Sequence, residues 1–258
     1  MLARNMNMLA AARRHALLPF AATSVRHALS TAPAGPLLPP PTPDGRLTVC
    51  LDMDECLLHA EVMEADLEVK GCADQSHQRA ARAANETKGV DADFEFELPY
   101  LDAPVRVFKR PGLDDFLLEA GRLAELVLYS SAAEGYAAEI VKRLDPTGGT
   151  FVGVLTRRHC RKLQVGSYTK DLEVLGRDLE RTVLVDDSTT PFMMQPDNGL
   201  PITAFYGDPN DRDLTRVLHL LRHMHAQGGD VRPFLRERFA LREKLLERVK
   251  EMRSSMNE

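Results

Sequence analysis

An α/β fold, a parallel sheet flanked by helices, is what this 258-residue sequence predicts. Two observations carry that expectation. Residues 46–51 (RLTVCL), 124–129 (AELVLY) and 181–185 (RTVLV) are short apolar runs without alternation, as in strands buried on both faces. Stretches with helical spacing lie between such runs, which is the chain order of parallel strands joined by crossovers.

The elements follow in order. After the strand at 46–51, residues 61–93 are polar and irregular, and 73–90 read as a surface insertion. Residues 94–98 (FEFEL) and 105–109 (VRVFK) alternate apolar and polar side chains, which predicts an antiparallel hairpin with one wet face. A helix is expected over 113–122, then the strand at 124–129. A second helix, 134–144, is stopped by Asp145-Pro146. Further strands are expected at 150–155, 181–185 and 200–205, with a short helix at 171–175. Leu214, Val217, Leu218 and Leu221 give the i, i+3, i+4, i+7 stripe of a core-facing helix. Residues 234–252 read as one charged helix.

Composition narrows the function classes. Hydrophobic residues are 44% and charged residues 28%, a globular balance. A net charge of −5 is not that of a surface holding nucleic acid by charge, and no direct nucleic-acid contact is expected. No run approaches the ~18–20 apolar residues of a transmembrane span. The four cysteines are scattered without a CxxC, so no disulfide framework or zinc ribbon is indicated.

Charge is unevenly spread. Residues 1–43 carry Arg4, Arg13, Arg14 and Arg26 and no Asp, Glu or Lys, so +4 there leaves −9 for the rest of the −5 chain. An acid-free, arginine-bearing start predicts a mitochondrial presequence. Residues 31–43 (TAPAGPLLPPPTP) are expected as a stiff linker outside the core. The expected division is presequence and linker 1–43, folded domain 44–230 and charged helix 231–258.

Three of the apolar strands end in polar groups. The first runs into Asp52-Met53-Asp54, the second into Ser130-Ser131, the third into Asp186-Asp187-Ser188. In an open parallel sheet the crevice beyond the strand carboxyl ends is where ligands bind. Four carboxylates gathered there repel one another unless a cation joins them, and oxygen-only ligands favour Mg²⁺. Asp52 can then serve as a nucleophile toward phosphorus. Asp54, two residues on, can act as acid and base. Lys170 is the candidate for added positive charge. Taken alone, a DxD is common in turns and Asp-Asp-Ser is a frequent cap. The pair His219 and His223 reads as a solvated helix face, and Cys160 beside His159 as a buried thiol.

The run 51–59 (LDMDECLLH) resembles the DxDxT/V motif of the haloacid-dehalogenase superfamily. Residues 108–112 (FKRPG), 127–130 (VLYS), 136–137 (YA), 144–146 (LDP), 166–172 (GSYTKDL), 175–179 (LGRDL), 185–188 (VDDS), 195–198 (QPDN) and 205–208 (FYGD) follow in the order of one branch. That branch holds the CTD-phosphatase-like, NLI-interacting-factor-like (FCP/SCP) domains, and the resemblance spans about 47–221. It implies a Rossmann-like sheet with a small hairpin flap and no full cap domain. It also implies an aspartyl-phosphate mechanism, with Asp52 as nucleophile, Asp54 as acid/base, Ser130 bonding the phosphoryl oxygens and Lys170 neutralising the intermediate. Asp52, Asp187 and the Asp54 backbone carbonyl would hold Mg²⁺, with Asp186 in support, and Arg157 would lie near a phosphopeptide. Cys56 departs from the usual Thr or Val of the motif and reads as a small buried hydrophobe.

Two functions are expected from this. The first is a Mg²⁺-dependent Ser/Thr phosphoprotein phosphatase, mitochondrial (matrix or inner-membrane associated) or else nuclear and cytoplasmic. The alternative is the presequence-receptor subunit of the mitochondrial inner-membrane translocase, built on the same domain, with precursor proteins or translocase subunits as partners.

Overall fold

The computed structural model describes residues 35–62, 87, 89–99, 104–163 and 166–255. The expected presequence at 1–34 and most of the insertion at 73–90 lie outside them. Five strands form a parallel sheet: β1 (Leu47–Leu51), β5 (Ala124–Tyr129), β6 (Phe151–Leu155), β9 (Thr182–Asp186) and β10 (Gly199–Pro201). Their spatial order is β10-β9-β1-β5-β6, so β1 is central and the chain order reverses on either side of it.

Strand periodicity divides the core in two. Leu47, Val49 and Leu51 of β1, Leu126 and Leu128 of β5, and Val183 and Val185 of β9 point into one cluster. There they meet α1 (Leu113–Leu123), α2 (Glu134–Leu144) and α3 (Asp213–Gln227) through residues such as Phe116, Ile140 and Val217. Cys50, Val127, Tyr129 and Leu184 face the opposite side, against Leu172, Leu175, Phe192 and Leu241. Alternate residues buried on opposite faces are why these strands lack a polar stripe.

The expected hairpin forms between β3 (Phe94–Phe96) and β4 (Val105–Lys109), antiparallel. It is joined by β2 (Leu58–Val62), which pairs along the other side of β4, so the flap has three strands. A two-stranded ribbon, β7 (Arg161–Lys162) and β8 (Tyr168–Thr169), follows β6.

Three expectations are corrected. The proline-rich linker is not wholly outside the core: Leu38 is buried against Gly153, and the Leu37 N–H donates to the Val174 carbonyl at 2.8 Å. Pairing expected over 200–205 stops at Pro201, because β9 ends at Asp186 and offers only one further acceptor, to the Ile202 N–H at 3.0 Å. The single helix expected at 234–252 is two, α4 (Arg232–Phe239) and α5 (Leu241–Ser255). Ala240 separates them in the left-handed region at φ 47°, and the break lets Leu241 bury against Gly199. Among the described residues no helix is long and apolar enough to cross a membrane.

Candidate active site

The carboxyl end of β1 lies between β5 and β9, at the point where strand order reverses. Asp52 is the first residue past β1, and its N–H donates to the Val185 carbonyl at 2.9 Å, which seats it beside the end of β9. Ser130 follows β5 directly. Its N–H donates to the Leu155 carbonyl at 2.9 Å, and its Oγ accepts from the Ala132 N–H at 3.0 Å. Asp186 ends β9 and Asp187 follows it. The three strand ends foreseen from the sequence therefore converge.

Lys170 arrives from the other side, at the end of the β7–β8 ribbon. It is buried, and its Nζ lies 2.7 Å from Asp52 Oδ1 and 2.6 Å from Asp186 Oδ2. Burial opposes its charge, but Asp186 and Asp52 outweigh burial, so its pKa is raised and it stays cationic. Burial pushes the Asp186 carboxyl up, and the Asp52 charge adds to that push against the pull of Lys170. Carboxylate oxygens of Asp52, Asp186 and Asp187 all lie within 4.8 Å of one another. Like charges ~4 Å apart cost about 4 kcal/mol at an effective dielectric of ~20. One ammonium cannot balance three carboxylates, and the oxygen donor set suits a hard divalent cation.

Asp54 is set apart from that cluster. Its Oδ1 accepts from the Tyr136 hydroxyl at 2.6 Å, a short bond from α2. Cys56 takes no part in holding it. The thiol is fully buried and its Sγ faces the Val185 carbonyl at 3.9 Å. Burial and then the Asp52 charge raise its pKa, so it stays un-ionised. The turn between these residues is tight. Met53 O accepts from the Leu57 N–H at 2.9 Å, and Glu55 adopts φ 59°. A bulky residue there costs about 1–3 kcal/mol, so the surroundings must hold it. Phe205 N–H donates to Glu55 O at 2.8 Å, and Arg110 Nη1 donates to Cys56 O at 2.9 Å.

Arg157 lies at the rim. Its Nε donates to the Ser131 carbonyl at 2.8 Å, and its guanidinium stacks 5.5 Å from the Tyr168 ring.

Sequence reasoning gave no role to Tyr136 or Arg110. Tyr136 reads as one more apolar position on the buried stripe of α2 with Ile140 and Leu144. The usable signal was its hydroxyl, six residues after Ser130 in the first turn of α2. An intramolecular hydrogen bond is worth about 0.5–1.5 kcal/mol net. Tyr136→Phe is therefore expected to lower the melting temperature by roughly 1–6 °C.

Comparison with known proteins places these features. The family described as NLI interacting factor-like phosphatase matches residues 47–232. CTD small phosphatase-like protein 3 of Caenorhabditis elegans is 29% identical over 217 residues, covering 83% of this chain and 66% of that protein. Mitochondrial import inner membrane translocase subunit TIM50 of Yarrowia lipolytica is 37% identical over 132 residues, 51% of this chain and 28% of that protein. The chain thus spans just under two thirds, or less, of the length of these curated relatives. The solved structure of Fcp1, an essential RNA polymerase II CTD phosphatase, superposes with a TM-score of 0.56 at 19% identity, over 75% of this chain and 70% of that one, a likeness of fold.

Proposed function

Because this chain belongs to the NLI interacting factor-like phosphatase family, a CTD-phosphatase-like branch of the haloacid-dehalogenase superfamily, we propose that it is a Mg²⁺-dependent phosphoprotein phosphatase whose nucleophile is Asp52. The observation that carries this reading is Lys170 Nζ, buried and within 2.7 Å of both Asp52 and Asp186, with a second aspartate two residues beyond Asp52 held by Tyr136.

Asp186 Oδ1 accepts from the Ser188 N–H at 2.9 Å and Oδ2 faces Lys170, so both its oxygens are occupied. That leaves it a supporting role. Asp52, Asp187 and the Asp54 backbone carbonyl are the proposed Mg²⁺ ligands. Bound there, Mg²⁺ supplies positive charge against the phosphoryl oxygens.

The chain's own groups do the rest. Lys170 aims Asp52 from 2.7 Å, and one Asp52 oxygen attacks phosphorus as the bond to the leaving oxygen breaks. Asp54, protonated, gives its proton to that oxygen. The resulting Asp54 carboxylate takes a proton from water as the water oxygen attacks phosphorus, which frees phosphate and restores Asp52. The Ser130 hydroxyl and Lys170 hold the phosphoryl oxygens through both steps. A three-stranded flap beside the crevice, with no full cap domain among the described residues, suits an extended phosphopeptide, and Arg157 at the rim is the proposed substrate contact.

Hydrolysis of an aryl phosphate is expected only with Mg²⁺, to stop in EDTA, to return when Mg²⁺ is restored, and to be blocked by beryllofluoride. Turnover that persists in EDTA contradicts the assignment.

The likeness to the translocase subunit favours a second reading, a mitochondrial receptor for basic presequences with a dispensable Asp52. The acidic remainder of the chain, at −9, suits such partners. The intact pair of aspartates favours the enzyme, and the arginine-bearing start favours a mitochondrial location for either.

A further inference from the structure

Behind the catalytic turn lies a buried charge cluster with no part in the chemistry above. His59, on β2, is 3% exposed. Its Nδ1 is 3.3 Å from Glu55 Oε1 and its Nε2 is 3.6 Å from Glu61 Oε1. The Phe108 ring of β4 stacks on the imidazole at 6.4 Å, and the Tyr206 ring meets it edge-on at 5.7 Å. Neither nitrogen meets hydrogen-bond geometry with any described residue, the two carboxylates included, so the contacts are ion-pair contacts. A neutral imidazole has one donor and one bare lone pair. Here a lone pair would face a carboxylate whichever tautomer formed, whereas an imidazolium is attracted to both.

We propose that His59 is a positioning residue, held as an imidazolium between Glu55 and Glu61, which through Glu55 fixes the left-handed turn that aims Asp54. Glu55 is one of two non-glycine residues with positive φ among those described, and it directly follows Asp54. Its backbone is tied at both ends, N–H to Leu58 O at 2.7 Å and O from Phe205 N–H at 2.8 Å, and its side chain faces His59. Glu61 is kept ionised by His59, against the pull of burial, with help from the Thr87 hydroxyl at 2.7 Å and from Arg106 across the β2–β4 pair. Burial lowers the His59 pKa, and the two glutamates more than reverse that, so it is raised. Among the described residues the charged groups that face His59 are thus Glu55 before β2, Glu61 on β2 and, beyond Glu61, Arg106 on β4.

The reading as a positioning residue rests on the function proposed above, but its first test does not. In the full chain with isotope-labelled histidine, NMR should show both His59 nitrogens protonated well above the ordinary imidazole midpoint of ~6.5. Loss of the signal in His59→Gln assigns it, and Glu55→Gln should lower its midpoint. A raised histidine pKa gives stability that is fully present below the unfolded value and is lost as pH rises through the folded one. Wild-type melting temperature should therefore fall over that window while His59→Gln stays flat. In turnover, His59→Gln should lower kcat about tenfold with KM unchanged. A singly protonated His59 at its ordinary midpoint, parallel stability profiles, or wild-type kcat in His59→Gln each overturn the proposal. A wild-type chain with no phosphatase turnover refutes the function instead, and the NMR and stability profiles still decide the state of His59.

Discussion

Replacing Asp52 with Asn is expected to remove turnover by about four decades or more, since no second group is placed to form the covalent intermediate. The protein should remain folded. Asp52 sits in a crowd of carboxylates, and deleting one charge relieves repulsion with Asp186 and Asp187 while Lys170 keeps its pairing with Asp186. Circular dichroism and thermal melting check the fold, and aryl phosphate kinetics check the rate. The same variant separates the two functional readings in cells: a phosphatase is not rescued by Asp52→Asn, whereas a presequence receptor is. Full rescue would favour the receptor.

The second large effect falls on stability. Arg110 is fully buried, and its guanidinium forks onto Asp211 at 2.7 and 2.8 Å while also donating to the Thr203 and Cys56 carbonyls at 2.8 and 2.9 Å. It clamps the catalytic turn to the segment after β10. Arg110→Met fills similar volume but leaves those two carbonyls and Asp211 without their partner. Removing one member of such a buried pair costs about 3–5 kcal/mol. In a chain of this size that is roughly a 6–20 °C fall in melting temperature. Asp211→Asn, which keeps an acceptor, should cost clearly less. A melting temperature within a degree or two of wild type in Arg110→Met would show that the clamp is dispensable.

The parts of this molecule that were legible in its sequence share a cause. β1, β5 and β9 are buried on both faces, so burial writes an unbroken apolar run, and the polar residues that end each run stand where the sheet places them. Asp52, Ser130, Asp186 and Asp187 could thus be gathered from topology alone. Lys170 needed only its position after a glycine-bearing turn. Tyr136 and Arg110 were not legible as functional groups, because their partners lie 82 and 54 residues away and no local pattern records such contacts. His59 hid differently: its two carboxylates flank it in sequence, and the strand period sets Glu61 on its face, but no local pattern marks the imidazole as buried. Leu38 was misread for a different reason. Proline-rich composition excludes helix and strand, but it does not exclude burial of a leucine between the prolines. Ala240 carries no helix-breaking signature, and the tertiary gain of burying Leu241 outweighs its helical propensity.

The proposed chemistry turns on a covalent bond at one atom. Wild-type protein mixed with Mg²⁺ and a phosphorylated substrate, quenched in acid within one turnover, should yield a phosphorylated peptide containing Asp52 by mass spectrometry, labile to hydroxylamine as an acyl phosphate is. Under the same quench, Asp52→Asn should give none. Turnover without any phosphoenzyme, or phosphate recovered on a residue other than Asp52, would contradict the mechanism.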